Sequence, residues 1–393
     1  MPQARHLHGA YLADALRESR ARTWALVSDL SPAQWLPPCQ LGVNPVAWEL
    51  AHTAWFAEFW ILRGPHRCDA QGFVHAAQPA RHAGPDAMLD SARLAHAQRW
   101  TAELPTREQL RAMLDGQLQA CIAALPAQGS DAALYFHRLA LFHEDMHAEA
   151  YCWMRAALAY PAPAGVAMPQ VPHAQTLAVQ AATTTIGWPA GEAGFAFDNE
   201  SPALPVALNA FAIDSAPVRA LDFARFVDAG GYLEARYWPG TAGTWRAQSP
   251  VNHPQRWRRT AQGSWQMRWF DQWVALTDAL PALHVNAFEA QAYCLWAGRR
   301  LPTAAEWEHT AATQGAAFHW GHSVWEWTAS DFAPYPGFTP GPYHAYSQPW
   351  FGTHRELRGG AFATHARMHH RRYRNFFQPH RSDVFAGFRT VAL

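Results

Sequence analysis

Residues 131–158, DAALYFHRLALFHEDMHAEAYCWMRAAL, say most about the fold of the first half of the chain. They contain neither glycine nor proline and are rich in alanine and leucine, so we predict a long helix over residues 130–158. The same texture extends back to the start of the chain, and four more helices are predicted over residues 8–28, 44–63, 86–103 and 106–124. Long helices with short connections are typical of an antiparallel bundle, which we assign to residues 1–160.

The second half has a different texture. Residues 161–175, PAPAGVAMPQVPHAQ, lack periodicity and are predicted to form a linker. Residues 176–393 contain short β-like segments between glycine, proline and asparagine turns, with short helices predicted near 219–229 and 286–297. The β-like segments are TLAVQAATTTIGW (176–188), PVALNAFAID (205–214), LRGGAF (357–362) and AGFRTVAL (386–393). This pattern predicts an α+β domain rich in loops.

Charge and cysteine content exclude several classes of protein. Lys plus Arg and Asp plus Glu number 31 each, so the formal net charge is zero, which argues against nucleic-acid partners. No apolar run reaches the ~18 residues of a membrane-spanning helix, and the first residues are too charged for a secretion signal. Five cysteines without a CxxC motif indicate reduced thiols, so we expect a cytoplasmic protein with neither membrane nor nucleic-acid partners.

Histidine is abundant, with 22 residues, and two of them form an HExxH motif. His143 and His147 are four apart in the predicted helix, so both imidazoles lie on one face and can bind one metal ion. His52, in a tryptophan-rich predicted helix, is a candidate third ligand, because ligands of facing helices converge in a bundle core. Three histidines without a carboxylate would leave open positions for substrate and oxygen.

Other interpretations of these histidines exist. A histidine on an apolar helix face is often a hydrogen-bonded core residue, and two histidines four apart occur by chance in a histidine-rich chain. HExxH is also the zinc-protease motif, in which Glu144 would be the general base. The extended protease motif needs glycine and histidine where this chain has Ala150 and Trp153, so we instead expect Glu144 to support a ligand imidazole.

Motifs in both halves resemble one family. ELAHTAWFAEFW (49–60) and FHEDMHAEA (142–150) resemble the iron-binding signature of the ergothioneine-type sulfoxide synthases. These enzymes join a DinB-like four-helix bundle to an α+β domain of the formylglycine-generating-enzyme (sulfatase-modifying factor) type, which is C-type-lectin-like. The landmarks of that second domain occur here in family order. They are FDNESPALPVALNAFAID (197–214), VRALDFARFVDAGGY (218–232), RRLPTAAEWEHTAA (299–312), VWEWTASDFAPYPGF (324–338), LRGGAFAT (357–364) and YRNFFQPHRSDVFAGFR (373–389).

The resemblance implies a mononuclear non-haem Fe(II) enzyme with O2 as co-substrate. Its small-molecule substrates would be hercynine (Nα-trimethylhistidine) and a chalcogen donor, joined at an imidazole carbon. The implied iron ligands are His52, His143 and His147. Formylglycine generation is not expected, because that activity uses a pair of cysteines in this domain and the second half contains only Cys294.

The resemblance also implies the residues of the pocket. Tyr343 and Tyr346 are spaced like the family's active-site tyrosines, one of which donates a hydrogen bond or a proton during the reaction with oxygen. Without the family context, two tyrosines three apart equally fit ordinary packing. The remaining pocket residues implied for the two substrates are Asn375, Phe376, Phe377 and Arg381. The two phenylalanines would face the trimethylammonium group, although they too could belong to a core.

Departures from the family pattern bear on the donor. Met146 stands where many members have a glutamine that orients hercynine, and Phe377 stands where some have an aspartate for γ-glutamylcysteine. The arginine pair that holds that donor has no clear counterpart, with only Arg81 nearby. The similar selenoneine synthases use a selenosugar, which needs no charged partner, so a selenosugar is the predicted donor. The alternatives are a γ-glutamylcysteine- or cysteine-dependent sulfoxide synthase and, from another class, a non-enzymatic metal- or ligand-binding protein.

Overall fold

The computed structural model of the chain describes residues 4–249 and 251–393, which form two compact units. The first unit extends to Leu158 and includes Ala193–Phe195, and the second contains Ala159–Glu192 and Ala196–Leu393. Within the described residues, no helix combines the length and the apolar character needed to cross a membrane.

The first unit is a helical bundle, as predicted. Its helices are α1 (Gly9–Ala25), α2 (Pro32–Trp35), α3 (Val46–Leu62), α4 (Asp86–Leu89), α5 (Arg107–Ala123) and α6 (Asp131–Ala157), and a hairpin is formed by β1 (His66–Cys68) and β2 (Val74–Ala76). The four long helices pack as pairs α1–α6, α3–α6, α3–α5 and α1–α5. Thr106 and Ser130 cap α5 and α6 by accepting hydrogen bonds from backbone amides of the first turn.

Helix α3 is the most buried of the four long helices. Nearly all of its residues are buried, and it is apolar around most of its circumference. The other three long helices, α1, α5 and α6, share a cluster of leucines, whose buried members are Leu12, Leu16, Leu118, Leu134 and Leu141. The candidate ligand His52 is therefore carried by the least exposed helix of the unit.

The helix predicted over residues 86–103 is wrong in extent. The structure has only α4 and a separate 3-10 turn at His96–Trp100. The carbonyl of Met88 accepts a hydrogen bond from the indole of Trp48, and that of Leu89 accepts one from His52. These carbonyls are satisfied by side chains of α3 rather than by amides four residues later, so the helix ends after one turn.

The second unit is the predicted α+β domain. Its helices are α7 (Ala220–Asp228), α8 (Thr241–Gln248), α9 (Ala287–Trp296) and α10 (Ala304–Thr313). Its strands are β3 (Thr176–Val179), β4 (Ala182–Ile186), β5 (Leu204–Leu208), β6 (Phe211–Asp214), β7 (Trp257–Arg259), β8 (Trp265–Trp269), β9 (Gln272–Ala275), β10 (Arg299–Arg300), β11 (Trp325–Asp331), β12 (Arg355–Gly359), β13 (Asn375–Phe377), β14 (Ala386–Gly387) and β15 (Val391–Ala392).

These strands form four small sheets. Two have four strands, in the orders β10-β15-β6-β3 and β13-β12-β11-β14; the others are β4-β5 and β7-β8-β9. Residues 161–175 contain no helix or strand and lie within the second unit, where the Val171 amide donates to the Ala279 carbonyl at 2.7 Å. The segment predicted to be a linker therefore packs on the domain that follows it.

Two helices of this unit were not predicted, and one of them has a visible signal. Thr303 and Glu306 form a capping box at the start of α10, a Thr-x-x-Glu pattern that the sequence displays.

Buried ion pairs replace part of the apolar core of this unit. Arg389 binds Glu326, and both side chains are fully buried. Trp307 donates to the same carboxylate at 2.9 Å, so this polar cluster is enclosed by hydrogen bonds.

Candidate metal centre and tyrosine site

The imidazole of His52 is held by ring stacking and by a hydrogen bond at one of its nitrogens. Its imidazole stacks on Trp48 with centroids 5.0 Å apart and planes 9° apart. Its Nδ1 donates to the Leu89 carbonyl at 2.7 Å, which fixes the tautomer and leaves Nε2 as the ligand atom. Burial lowers the pKa of His52 to about 3, so the ring is neutral, the form that binds metals.

His143 and His147 occupy successive turns of α6, as predicted. Their Nε2 atoms are 3.2 Å apart, and the ring of His143 stacks on Phe56 with centroids 3.5 Å apart. Burial also holds the pKa of His143 well below its usual range. One ligand atom from each of His52, His143 and His147 lies within 4.8 Å of the others, so the three side chains converge on one point.

Glu49 supports this cluster, and sequence reasoning missed it. His147 Nδ1 donates to Glu49 Oε1 at 2.5 Å, and Asn44 donates to Oε2 at 2.6 Å. Burial alone would raise the pKa of Glu49, but the adjacent His147 and His52 lower it overall. A carboxylate behind a ligand imidazole orients the ring and increases its basicity. The available signal was the spacing, because Glu49 precedes His52 by three residues on one helix face.

Glu144 does not support an imidazole, so that expectation was wrong. Its two oxygens accept hydrogen bonds from Arg20 at 2.7 and 3.1 Å. Arg20 also donates to the Leu114 carbonyl and to Gln117, so the pair joins α1, α5 and α6. A carboxylate committed to arginine in this way is a poor general base, and the HExxH motif does not function here as it does in a zinc protease.

The donor set fits a divalent first-row metal. Three imidazoles, two of them buried, suit iron, zinc, copper or nickel, and the hydrogen bonds on the outer nitrogens of His52 and His147 direct Nε2 inward. Among the described residues, this is the single group of three or more such side chains close enough to share an ion. With three protein ligands, a bound ion would keep positions for other molecules.

The tyrosines lie in the second unit. Tyr343 precedes a 3-10 turn, His344–Tyr346, which Tyr346 ends, and the two ring centroids are 6.1 Å apart. The hydroxyl of Tyr346 is 3.2 Å from that of Tyr373, a buried residue that sequence reasoning did not single out. Burial, followed by the neighbouring Tyr373, holds the pKa of Tyr346 well above its usual range, so this phenol keeps its proton.

Strand β13 carries three of the predicted pocket residues. Asn375 accepts a hydrogen bond from the Phe376 amide at its side-chain oxygen, 2.9 Å away. Phe376 stacks on Phe332 with centroids 4.0 Å apart and meets Tyr346 edge-on at 5.6 Å. The structure therefore brings Phe376 together with the tyrosine pair, in a cluster of aromatic rings.

The last pocket residues have different neighbours. Arg381 donates to both oxygens of Asp383 at 2.5 Å and lies over the ring of Phe377 at 5.3 Å. The guanidinium of Arg381, a predicted pocket residue, thus already holds a carboxylate from the chain itself. In the first unit, Met146 lies on α6 directly before the candidate ligand His147, with a partly exposed side chain.

Comparisons with known proteins cover nearly the whole chain. The DinB superfamily model matches residues 15–150, and the Sulfatase-modifying factor enzyme 1-like domain model matches 166–324 and 322–392. A hercynine oxygenase of Mycolicibacterium thermoresistibile is 30% identical over 97% of this chain and 94% of its own length. One from Mycobacterium tuberculosis is 29% identical over 96% of this chain and 97% of its own length.

A formylglycine-generating enzyme of Bos taurus is 33% identical, but over only 32% of this chain and 37% of its own length. The full-length relationship to named oxygenases leaves no support for a non-enzymatic binding protein. The chain therefore belongs to the hercynine oxygenase family and is an oxidoreductase in which a DinB superfamily domain precedes a sulfatase-modifying factor enzyme 1-like domain.

Proposed function

We propose that this enzyme uses Fe(II) and O2 to form a carbon–selenium bond between a selenosugar and the imidazole of hercynine. The observation that carries the proposal is the buried cluster of His52, His143 and His147 in a member of the hercynine oxygenase family. Iron bound by these residues would supply the redox chemistry that reaction with O2 requires. The protein would contribute oriented ligands, two of which, His52 and His143, lie buried in the bundle.

Hercynine recognition depends on aromatic faces. A trimethylammonium group has no N–H to donate, so it is bound through the faces of aromatic rings, each worth ~2 kcal/mol when desolvated. The ring cluster of Phe376, Tyr343 and Tyr346 offers such faces. Tyr343, one of the two tyrosines spaced like the family's active-site pair, is the candidate to donate a hydrogen bond or a proton during the reaction.

The choice of donor follows from the arginines. γ-Glutamylcysteine carries two carboxylates, and burying each without a cation costs several kcal/mol. Arg381 is bonded to Asp383, and Arg63, just after α3, is bonded bidentately to Asp86. With the apolar Met146 near the histidines, these pairings favour an uncharged donor. A selenosugar needs hydroxyl partners and stacking surfaces, and its selenium is a soft ligand for an open metal position.

A competition assay tests the donor. The Fe(II)-loaded enzyme is incubated in air with hercynine and equal amounts of a 1-seleno sugar, a 1-thio sugar and γ-glutamylcysteine, under reducing conditions. We expect mass spectrometry to detect mainly the selenium product, with the thiosugar slower. The His52→Ala variant is the control for iron-independent chemistry. Predominant incorporation from γ-glutamylcysteine would overturn the selenium assignment.

Predominant incorporation from γ-glutamylcysteine would identify a sulfoxide synthase that joins hercynine to this donor, or to cysteine if cysteine is supplied instead. The observation in its favour is the ~30% identity to the mycobacterial hercynine oxygenases over nearly the full chain. Loss of all products, with hercynine unchanged, would contradict both candidates.

A further inference from the structure

The tyrosine segment, residues 341–347 (GPYHAYS), has little backbone structure of its own. Its regular structure is limited to the three-residue 3-10 turn at His344–Tyr346, and residues 332–340 before it contain no helix or strand. Turns this short hold few backbone hydrogen bonds, so they do not fix side chains by themselves. Whatever orients Tyr343 and Tyr346 must come from elsewhere in the domain.

Asp198 meets both ends of this segment. The hydroxyl of Ser347 donates to Asp198 Oδ1 at 2.5 Å, and the amide of Gly341 donates to Asp198 Oδ2 at 3.3 Å. Ser347 is fully buried, so its hydrogen bond is shielded from water. One carboxylate therefore brackets the seven residues that contain both tyrosines.

The residue before Asp198 orients one of the rings directly. Phe197 is buried and stacks on Tyr346 with centroids 4.6 Å apart and planes 25° apart. It also contacts Tyr373 at 5.4 Å, which in turn is hydrogen-bonded to Tyr346. Phe197 and Asp198 thus act on the same segment, one through ring packing and the other through two hydrogen bonds.

We infer that Asp198 is a positioning residue, which holds the tyrosine segment in the geometry required for turnover. The inference rests on the proposed function, in which Tyr343 donates to the reacting species. A displacement of about 1 Å at a reacting group lowers turnover by roughly 100-fold, so losing either anchor has a large effect on rate. Asp198 itself need not touch a substrate.

The chemistry of the carboxylate makes a sharp test possible. An ionised aspartate only accepts hydrogen bonds, and both groups that meet it are donors. Asparagine is a poor test, because a serine hydroxyl also accepts, so its amide nitrogen could donate to Ser347 while its oxygen accepts from Gly341. Asp198→Ala instead removes both anchors, and Ser347→Ala removes one partner of the same interaction.

The experiment compares the full-length, Fe(II)-loaded wild type with Asp198→Ala, Ser347→Ala and the control Asp271→Ala. Asp271 is an exposed aspartate in the turn between β8 and β9. Hydrogen exchange followed by mass spectrometry reports the peptide 341–350, and steady-state kinetics report kcat and KM for hercynine. We expect exchange at least tenfold faster and kcat at least tenfold lower in both test variants. Iron content and KM for hercynine should stay within twofold of wild type, and the control should match it throughout.

Several results would overturn the inference. Unchanged exchange in Asp198→Ala and Ser347→Ala would show that the carboxylate does not hold the segment. Faster exchange with unchanged kcat would show that it holds the segment without serving turnover. If Asp198→Ala does not fold, Ser347→Ala alone decides between these results. A wild-type enzyme inactive toward hercynine would instead refute the proposed function, while the exchange data would still report on the anchor.

Discussion

The metal centre and the tyrosine site are both built from residues one turn apart, yet they are supported differently. His143 and His147 lie on a 27-residue helix, where backbone hydrogen bonds fix the direction of each side chain. Tyr346 ends a three-residue turn that Tyr343 precedes, and Phe197 and Asp198, about 150 residues away in the chain, contact this segment. The helix therefore sets the spacing of the two histidines locally. The loop, by the positioning role inferred for Asp198, depends on distant residues for the placement of its tyrosines.

Removing a metal ligand should have the largest effect. His52→Ala leaves two imidazoles of the three that converge, so we expect the iron per chain to fall below about one tenth of wild type. Elemental analysis after dialysis measures this. The control is His82→Ala, which changes an exposed histidine of the same unit. Full iron occupancy and turnover in His52→Ala would show that the three-histidine site is wrong.

Removing the donor phenol at the tyrosine site should have the next largest effect. Tyr343→Phe keeps the ring and loses the hydroxyl, so kcat should fall by about 10²–10⁴-fold while iron and hercynine binding are retained. Product analysis and stopped-flow kinetics measure the change, with Tyr11→Phe, at an exposed tyrosine, as the matched control. An unchanged rate and product would leave Tyr343 as a packing residue and make Tyr346 the candidate.

Glu144 should matter for stability rather than for the metal. Glu144→Gln leaves the buried Arg20 without its carboxylate, which should cost about 3–5 kcal/mol in the free energy of unfolding. Urea denaturation measures this, with the exposed Glu103→Gln as control. Iron affinity of the folded variant should remain near that of wild type. A variant of normal stability that fails to bind iron would restore Glu144 to the metal centre.

Glu49 should matter for metal binding rather than for stability. Glu49→Gln weakens the acceptor behind His147, and the loss of such a partner lowers metal affinity by about 10- to 100-fold. Competition with a calibrated chelator measures the change, and Glu144→Gln is the comparison variant on the same bundle. Equal iron affinities for the two variants would remove the distinction between a carboxylate that orients a ligand and one that joins helices.

The smallest expected effect concerns the substrate. Histidine lacks the methyl groups of hercynine and loses the cation–π contact, so its kcat/KM should be at least about tenfold lower, equivalent to ~1.4 kcal/mol. Parallel assays with both amino acids, at saturating donor, measure the ratio. Equal turnover of histidine and hercynine would contradict hercynine as the substrate.

Much of the fold was predictable because its signals are local. The five predicted helices of the first half rested on composition and glycine-free stretches, and four of them match α1, α3, α5 and α6 closely. The fifth, over residues 86–103, failed because two of its carbonyls bind side chains of another helix. No feature of residues 86–103 themselves reveals such an interaction.

The sequence by itself determined that a helical bundle precedes an α+β domain. It also determined that two histidines share one helix face, because helix periodicity acts over four residues. Only the tertiary structure decided which carboxylate serves which partner. Glu144, inside the HExxH motif, turns to Arg20, and Glu49, outside it, accepts from His147. Likewise, Asp198 reaches the tyrosine segment only in the folded domain. Hydrogen bonds between distant residues depend on how elements pack, and spacing along the chain does not encode that packing.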